Sequence, residues 1–407
     1  MSPTPSKTAS IALLVAAEVL GMSVWFSSAA VLGEMTRAAA DAGAPLERFA
    51  ASLLSSAVQV GFAIGAVVYA VLGLADRYDP RKVFAASALL AALANAVLVV
   101  APIGGALAVA SRFATGAFLA GVYPVGMKIA VGWGARDRGL LVGLVVGALT
   151  LGSAAPHLLA LTAGLDAIGW RGAVLMSSGL ATLGAGLVLR AGLGPGHASA
   201  RAFRWRSLGL AWTDPRLRLA YAGYLGHMWE LYAMWAWIGA ALVASFGARM
   251  DPAAAAGLSK LTAFAAVGAG ALACVAAGLL ADRIGKAETT ILAMAGSGGA
   301  AVLAALAFYG PPLALIAIVL VWGAFVIADS AQFSALVADA APPDAAGALL
   351  TLQTALGFAL TALTVQAAPA VAVAIGWPGL FMILALGPAA GCLAMARLRG
   401  VLKEGRA

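Results

Sequence analysis

Charge is scarce in this chain: Asp, Glu, Lys and Arg supply 10% of its 407 residues, where soluble globular domains carry about 25%. Water is therefore excluded as its main solvent. Cysteine occurs only as Cys274 and Cys392, each inside an apolar run where a small polarizable side chain packs well. Neither a disulfide framework nor a thiolate metal site is implied. Histidine occurs three times with no two near each other, which leaves no metal cluster and no nucleophile–base constellation for a membrane-embedded enzyme. The pattern Gly-x-x-x-x-Gly-Lys-Ser/Thr is missing too, and with it the nucleotide-cradling loop of an ATP-driven machine. No cofactor and no metal are expected. Apolar–polar alternation is also lacking, since Ala85 to Ala101 is almost continuously apolar; the strands of a membrane β-barrel are ruled out.

What the chain does have is hydrophobic residues, 63% of the total, in runs of about 20, the length with which an α-helix crosses a hydrocarbon core. Lipid offers the backbone no other hydrogen-bond partner, so spanning helices follow. The runs predict an all-α polytopic membrane protein of twelve transmembrane helices. They lie near 9–33, 50–72, 83–101, 105–127, 139–163, 170–192, 217–245, 257–281, 288–308, 312–337, 346–371 and 374–397. The first run is too long for a signal-peptide core and reads as a retained helix. Placing the N-terminus in the cytosol puts most basic residues inside, among them Lys7, Arg77, Arg81, Lys82, Lys128, Arg136, Arg138, Arg201, Arg204 and Arg206. The outside receives Arg37, Arg48, Arg171, Arg249 and Lys260. This is the positive-inside pattern, with both termini cytosolic in a multi-pass inner-membrane protein. It also explains the net charge of +8 without nucleic acid.

The longest loop, 193–216, carries Gly and Pro at its start and basic residues throughout, which suits a linker beside anionic headgroups. It divides the chain into predicted six-helix bundles at 1–192 and 217–407. The halves echo one another. Leu74-Ala75-Asp76-Arg77 recurs as Leu280-Ala281-Asp282-Arg283, 206 residues on, and Gly169-Trp170 recurs as Gly376-Trp377, 207 residues on. An internal repeat of this kind marks transporters whose site lies between the repeats.

At these residues the sequence resembles the major facilitator superfamily, whose loop between helices two and three carries Gly-x-Leu-Ala-Asp-Arg-x-Gly-Arg-Arg/Lys. Leu74, Ala75, Asp76, Arg77, Arg81 and Lys82 keep most of it, with Leu72 at the first glycine and Asp79-Pro80 in place of Gly-Arg. Gly278, Leu280, Ala281, Asp282, Arg283 and Gly285 repeat it after helix eight, and Arg112 and Gly116 resemble the Arg-x-x-x-Gly element of helix four. Gly143, Gly147, Gly152 and Pro156 in helix five only partly resemble the drug/proton antiporter motif, and the sugar-porter and nitrate-porter signatures are missing. The resemblance implies that helices one, four, seven and ten line a central cavity. It also implies that Asp76, Arg77, Arg81, Asp282 and Arg283 form a cytosolic gate. In that latch Asp76 or Asp282 would accept from the exposed N–H groups opening a helix of the other half, near Gly139 or Asp344.

Each ionisable residue inside a span costs about 2.5 to 3.5 kcal/mol on insertion scales and is a functional hypothesis by default. Glu18, Arg112, His227, Glu230 and Asp329 are the candidates for substrate binding and proton coupling. At about 1.5 Å per residue, Glu18, Arg112, His227 and Glu230 fall about 14 to 20 Å deep, and Asp329 only about 5 Å from the cytosolic edge. Arg112 is expected beside one of the carboxylates, and His227 is a natural proton carrier. Met22, Trp25, Tyr123, Met234 and Trp237 follow at helical spacing as cavity lining, while His157 falls near the outer interface with no role. Gln59, Gln353 and Gln366 suit bonding between helices.

The expectation is a secondary transporter that moves a small organic solute or anion by alternating access, coupled to protons, acting as a monomer in the bilayer. Arg112 with His227 favours an anion; Glu18, Glu230 and the tryptophans favour a cationic or aromatic solute. Export of amphipathic or cationic compounds against protons, and facilitated uniport, stand beside it. A membrane-embedded enzyme is a more distant reading, as is a receptor, for which no loop is long enough to hold a signalling domain.

Overall fold

A computed structural model describes residues 6–134, 137–163, 169–196, 205–342 and 345–404. In chain order its helices are α1 Lys7–Met22, α2 Ser27–Ala30, α3 Leu32–Asp41, α4 Arg48–Leu72, α5 Leu74–Arg77, α6 Pro80–Val97, α7 Ala106–Leu119, α8 Tyr123–Val131 and α9 Arg138–Ala163. They continue with α10 Gly169–Val188, α11 Leu210–Thr213, α12 Pro215–Gly247, α13 Pro252–Ile284, α14 Lys286–Ala307, α15 Pro312–Ala328, α16 Ser330–Ala340 and α17 Ala346–Glu404. The described residues contain helices and no strand, and nine helical stretches among them are long and apolar enough to cross a membrane. The all-helical membrane class expected from the sequence is therefore present. α17 doubles back at Gly376, whose φ of 77° only glycine adopts without strain.

The helix starts have a local cause. Asp79, Asp214 and Asp251 each cap a helix (α6, α12 and α13) by accepting backbone N–H bonds, with Pro80, Pro215 and Pro252 next in line. The carboxylate satisfies an orphan donor and the proline needs none.

Three expected spans are interrupted near their middles. Ser23 to Phe26 separates α1 from α2, Ala120 to Val122 separates α7 from α8, and Asp329 separates α15 from α16. The second and third breaks are related by the same offset of about 207 residues as the sequence repeat, Val122 corresponding to Asp329. Packing repeats with it. A side chain at Gly116 would collide with Val58 O of α4, and one at Gly323 with Ala266 O of α13, so both crossings are made backbone to helix.

The two halves of the chain meet along α4 with α17 and along α9 with α13. The second contact is a seam of bare backbone: a Cβ on Gly143 would sit 3.4 Å from Cys274 O, and one on Gly147 2.9 Å from Ala271 O. The starts of α1, α6 and α9 and the end of α10 gather at one end of the body. There Lys7 Nζ lies 2.8 Å from Asp137, Arg81 donates to Ala191 O at 3.1 Å, and Gly192 N donates to Ser10 Oγ at 3.0 Å. We call this the terminus face. At the far end Lys260 donates to Glu34, and to Ala160 O at 3.1 Å, joining the halves. Ser56 Oγ also donates to Gln366 Oε1 at 2.6 Å.

Candidate functional site

The break after α1 exposes backbone carbonyls that no helical N–H reaches, and Arg112 of α7 takes them. Its Nη1 donates to Val24 O at 3.2 Å, Ser27 Oγ at 3.2 Å and Asn95 Oδ1 at 2.5 Å. Nη2 donates to Val24 O at 3.1 Å and also to Trp25 O, and Nε to Leu54 O at 3.3 Å. Asn95 in turn donates to Val174 O at 3.2 Å and Ser178 Oγ at 3.0 Å. The guanidinium thus ties α1, α2, α4, α6 and α10 together. Among the described residues it bonds no carboxylate, which corrects the expected Glu–Arg neighbourhood. The sequence shows a lone buried cation and suggests a carboxylate for it; the helix break supplies carbonyl dipoles instead.

Glu18 is fully buried, and neither carboxylate oxygen has a hydrogen-bond partner. It lies against Gly126 of α8, where any side chain would collide with Oε2. Tyr123, partly buried, sits one turn before that glycine.

His227 and Glu230 share a face of α12 but have different partners. His227 Nδ1 lies 2.8 Å from Asp329 Oδ1, with both side chains about 1% exposed. Its Nε2 has no partner. Asp329 occupies the α15–α16 break, and α16 runs on to Ala340. The residue is therefore about 16 Å from that helix end, and buried. Glu230 has both oxygens satisfied by neutral donors, Trp322 Nε1 at 2.7 Å and Ser297 Oγ at 2.8 Å. Asn95, Ser297 and Trp322 are site residues that the sequence reading missed; each is a polar group in an apolar helix, the signal that picked out the charges.

Between the halves stands an aromatic plug. The Trp25 ring lies tilted, its centroid 4.8 Å from Phe62 and 5.6 Å from both Tyr232 and Phe358, and Phe62 lies 4.4 Å from Phe358. Buried polar atoms without partners flank it: Trp25 Nε1, Trp235 Nε1, Gln59 Nε2 and Gln353 Nε2. Met22 and Met234 are buried, and Trp237 Nε1 donates to Val365 O at 2.9 Å, linking α12 to α17. Gln366 bonds Ser56 and Phe49 O across the halves, as interhelical glutamines do. His157 is buried, 3.8 Å from where a Gly239 side chain would begin and about one turn before Ala160, which Lys260 bonds at the far end. A crevice of about 200 Å³ opens toward the terminus face between Tyr69, Asp76, Pro124 and Thr351.

In the expected gate, Asp282 lies at the start of α9, 3.6 Å from where a Cβ of Gly139 would stand. Asp76 pairs with Lys128 of α8. Arg81 chelates Asp79 with bonds of 3.0 and 2.6 Å, which holds that carboxyl below its ordinary range. Arg77 follows the turn at Gly73 and Arg283 is exposed. Asp344, Arg136, Arg201 and Arg204 lie outside the described residues, and so does the Arg138 side chain.

The family model of the Major Facilitator Superfamily matches residues 8–365. The chain belongs to this superfamily. It is a multi-pass membrane transporter, consistent with a protein that is not an enzyme, and its partners include the lipid bilayer and a small-molecule substrate. No curated protein matches it.

Proposed function

We propose that this superfamily member is a proton-coupled secondary transporter of the inner membrane. It has twelve spans in two six-helix bundles joined by 193–216, cytosolic termini, and alternating access around the aromatic plug. One observation carries the reading: Glu18 is a buried carboxylate with no partner at either oxygen, and other buried polar groups without partners occur in both halves of the chain. Native proteins seldom leave such groups idle, and each one needs an explanation. A site that alternately takes a proton and a solute supplies it, with Glu18 as the proton carrier and His227–Asp329 as a second titratable pair.

The occupancy of Arg112 bears on the substrate. A guanidinium with its donors committed to carbonyls and Asn95 is poorly placed to receive an anion, which favours the second reading of the sequence, a cationic or uncharged aromatic solute stacking on Trp25, Tyr232 and Phe358. Asp282 at the start of α9 would steady the gate as a helix-capping charge. The test is a thermal-stabilisation screen of organic cations, aromatic neutrals and organic anions, because a true ligand stabilises by mass action. Proton flux is then measured in proteoliposomes with each hit. A cation or aromatic hit that drives proton flux is expected. Transport with no response to a pH gradient would overturn the coupling, and a hit list of anions would overturn the substrate class.

A further inference from the structure

A cavity of about 460 Å³ opens on the terminus face of the second half of the chain, away from the aromatic plug. Its walls come from the starts of α12 and α14 and the ends of α13, α16 and α17. Arg216, Lys286, Arg399 and Lys403 line it, opposed by Glu288 and Asp339. Two of the cations are engaged: Lys286 pairs with Asp339, and Arg216 Nη2 lies 3.0 Å from Asp214. Among the described residues Arg399 and Lys403 have neither an ion-pair nor a hydrogen-bond partner. The opening turn of α14 joins the lining, and its N-cap, Gly285, offers no side chain to its N–H groups. The Glu288 carboxylate of that turn lies against Gly285 and offsets the partial positive charge of the helix start, so the cleft's free positive charge is that of Arg399 and Lys403.

The rest of the wall is apolar. Ile284, Leu398 and Leu402 line the cavity. Ile284 is 45% exposed, and about 8 Å further along the same two helices Leu279 and Leu393 are 52% and 66% exposed. Cations at the mouth and an outward apolar flank beneath them match an amphiphile held at a membrane surface, where basic clefts between helix ends bind anionic headgroups.

We infer that this cleft binds the phosphate of an anionic phospholipid, its acyl chains lying along the outer faces of α13 and α17. The bound lipid would bridge the ends of α12, α13, α14, α16 and α17. The site does not rest on the transport reading, and its test requires no substrate.

The full-length protein is purified in a neutral detergent and its thermal unfolding followed with added phosphatidylglycerol, phosphatidylcholine or inorganic phosphate. Phosphatidylglycerol should protect at concentrations at which the other two do nothing. Replacing Arg399→Gln and Lys403→Gln together should weaken its apparent affinity by tenfold or more, since each basic group near anionic lipid contributes substantially. Arg190→Gln, an exposed basic residue of the first half, should leave it unchanged. Equal protection by phosphatidylcholine, undiminished protection in the double variant, or equal loss in Arg190→Gln would each overturn the site. Equal protection by inorganic phosphate would overturn the lipid assignment in favour of a soluble anion. If the double variant unfolds too early to titrate, Lys403→Gln alone, at the exposed end of α17, carries the same comparison.

Discussion

The two halves of the chain share a scaffold and differ in what they bury. Gly116 and Gly323 make the same tight crossing, and the breaks at Val122 and Asp329 correspond. Yet the first half buries a cation whose hydrogen bonds are all made locally, whereas the second buries His227, Glu230 and Asp329 in contact with one another or with Trp322 and Ser297. One half uses its charge as a fastener and the other holds groups able to gain or lose a proton. Glu18 is the exception in the first half, since it fastens nothing.

The largest effect should come from unfastening. Arg112→Gln leaves Trp25 O without its donor and removes the bonds to Val24 O, Leu54 O and Asn95, which should cost about 1–3 kcal/mol, the range for a hydrogen bond to a charged group or an unsatisfied buried acceptor. It would be read as loss of folded protein in a detergent melt. Arg112→Lys should fall between, because one ammonium cannot span the same acceptors. If Arg112→Gln melts normally and only transport fails, the contrast between the halves collapses.

The shared scaffold predicts equal damage on both sides. Gly116→Ala and Gly323→Ala should each destabilise by about 1–3 kcal/mol, as overpacking does, and by similar amounts in the same melt. A large difference between them would show that the repeat is one of shape rather than of packing.

The carboxylates sharpen the comparison further. Glu230→Gln keeps one acceptor for two donors, so either Trp322 or Ser297 is left unsatisfied, at about 1–2 kcal/mol. Glu18→Gln removes no bond and should leave stability unchanged or slightly higher. It should also abolish solute accumulation driven by a pH gradient while exchange at equal pH survives. Retained accumulation would assign the proton to His227 and Asp329.

The smallest effect concerns the cap of α6. Arg81 depresses the Asp79 carboxyl, so the folded chain binds that proton less readily than the unfolded chain does. The resulting stabilisation is present above the ordinary carboxylate range and fades as pH falls through the depressed value. Asp79→Ala should therefore lower stability by about 1 kcal/mol at neutral pH, with the gap from the parent narrowing in acid.

Much of this was legible in the residues. Hydrophobic runs announce the helices, and the polar residues within them announce Glu18, Arg112, His227, Glu230 and Asp329. The Asp-Pro pairs at 79–80, 214–215 and 251–252 also announce helix starts, since a short acceptor followed by a residue lacking a donor has few other uses. What stayed hidden is whom each charge meets. Hydropathy cannot show that α1 breaks at Ser23, because Ser-Val-Trp-Phe is as apolar as a helix interior. The break in turn decides that Arg112 meets carbonyls and not Glu18. Nor does composition show that Asp329 is buried against His227, since the two lie about a hundred residues apart in the chain.

The seam between α9 and α13 has a consequence of its own. Gears hold their setting because teeth interlock; two smooth rollers do not. With Gly143 and Gly147 facing the backbone at Cys274 and Ala271, no side chain of these glycines interlocks across the seam. Polar contacts mark its two ends instead, Lys260 with Glu34 at one and Asp282 beside the start of α9 at the other.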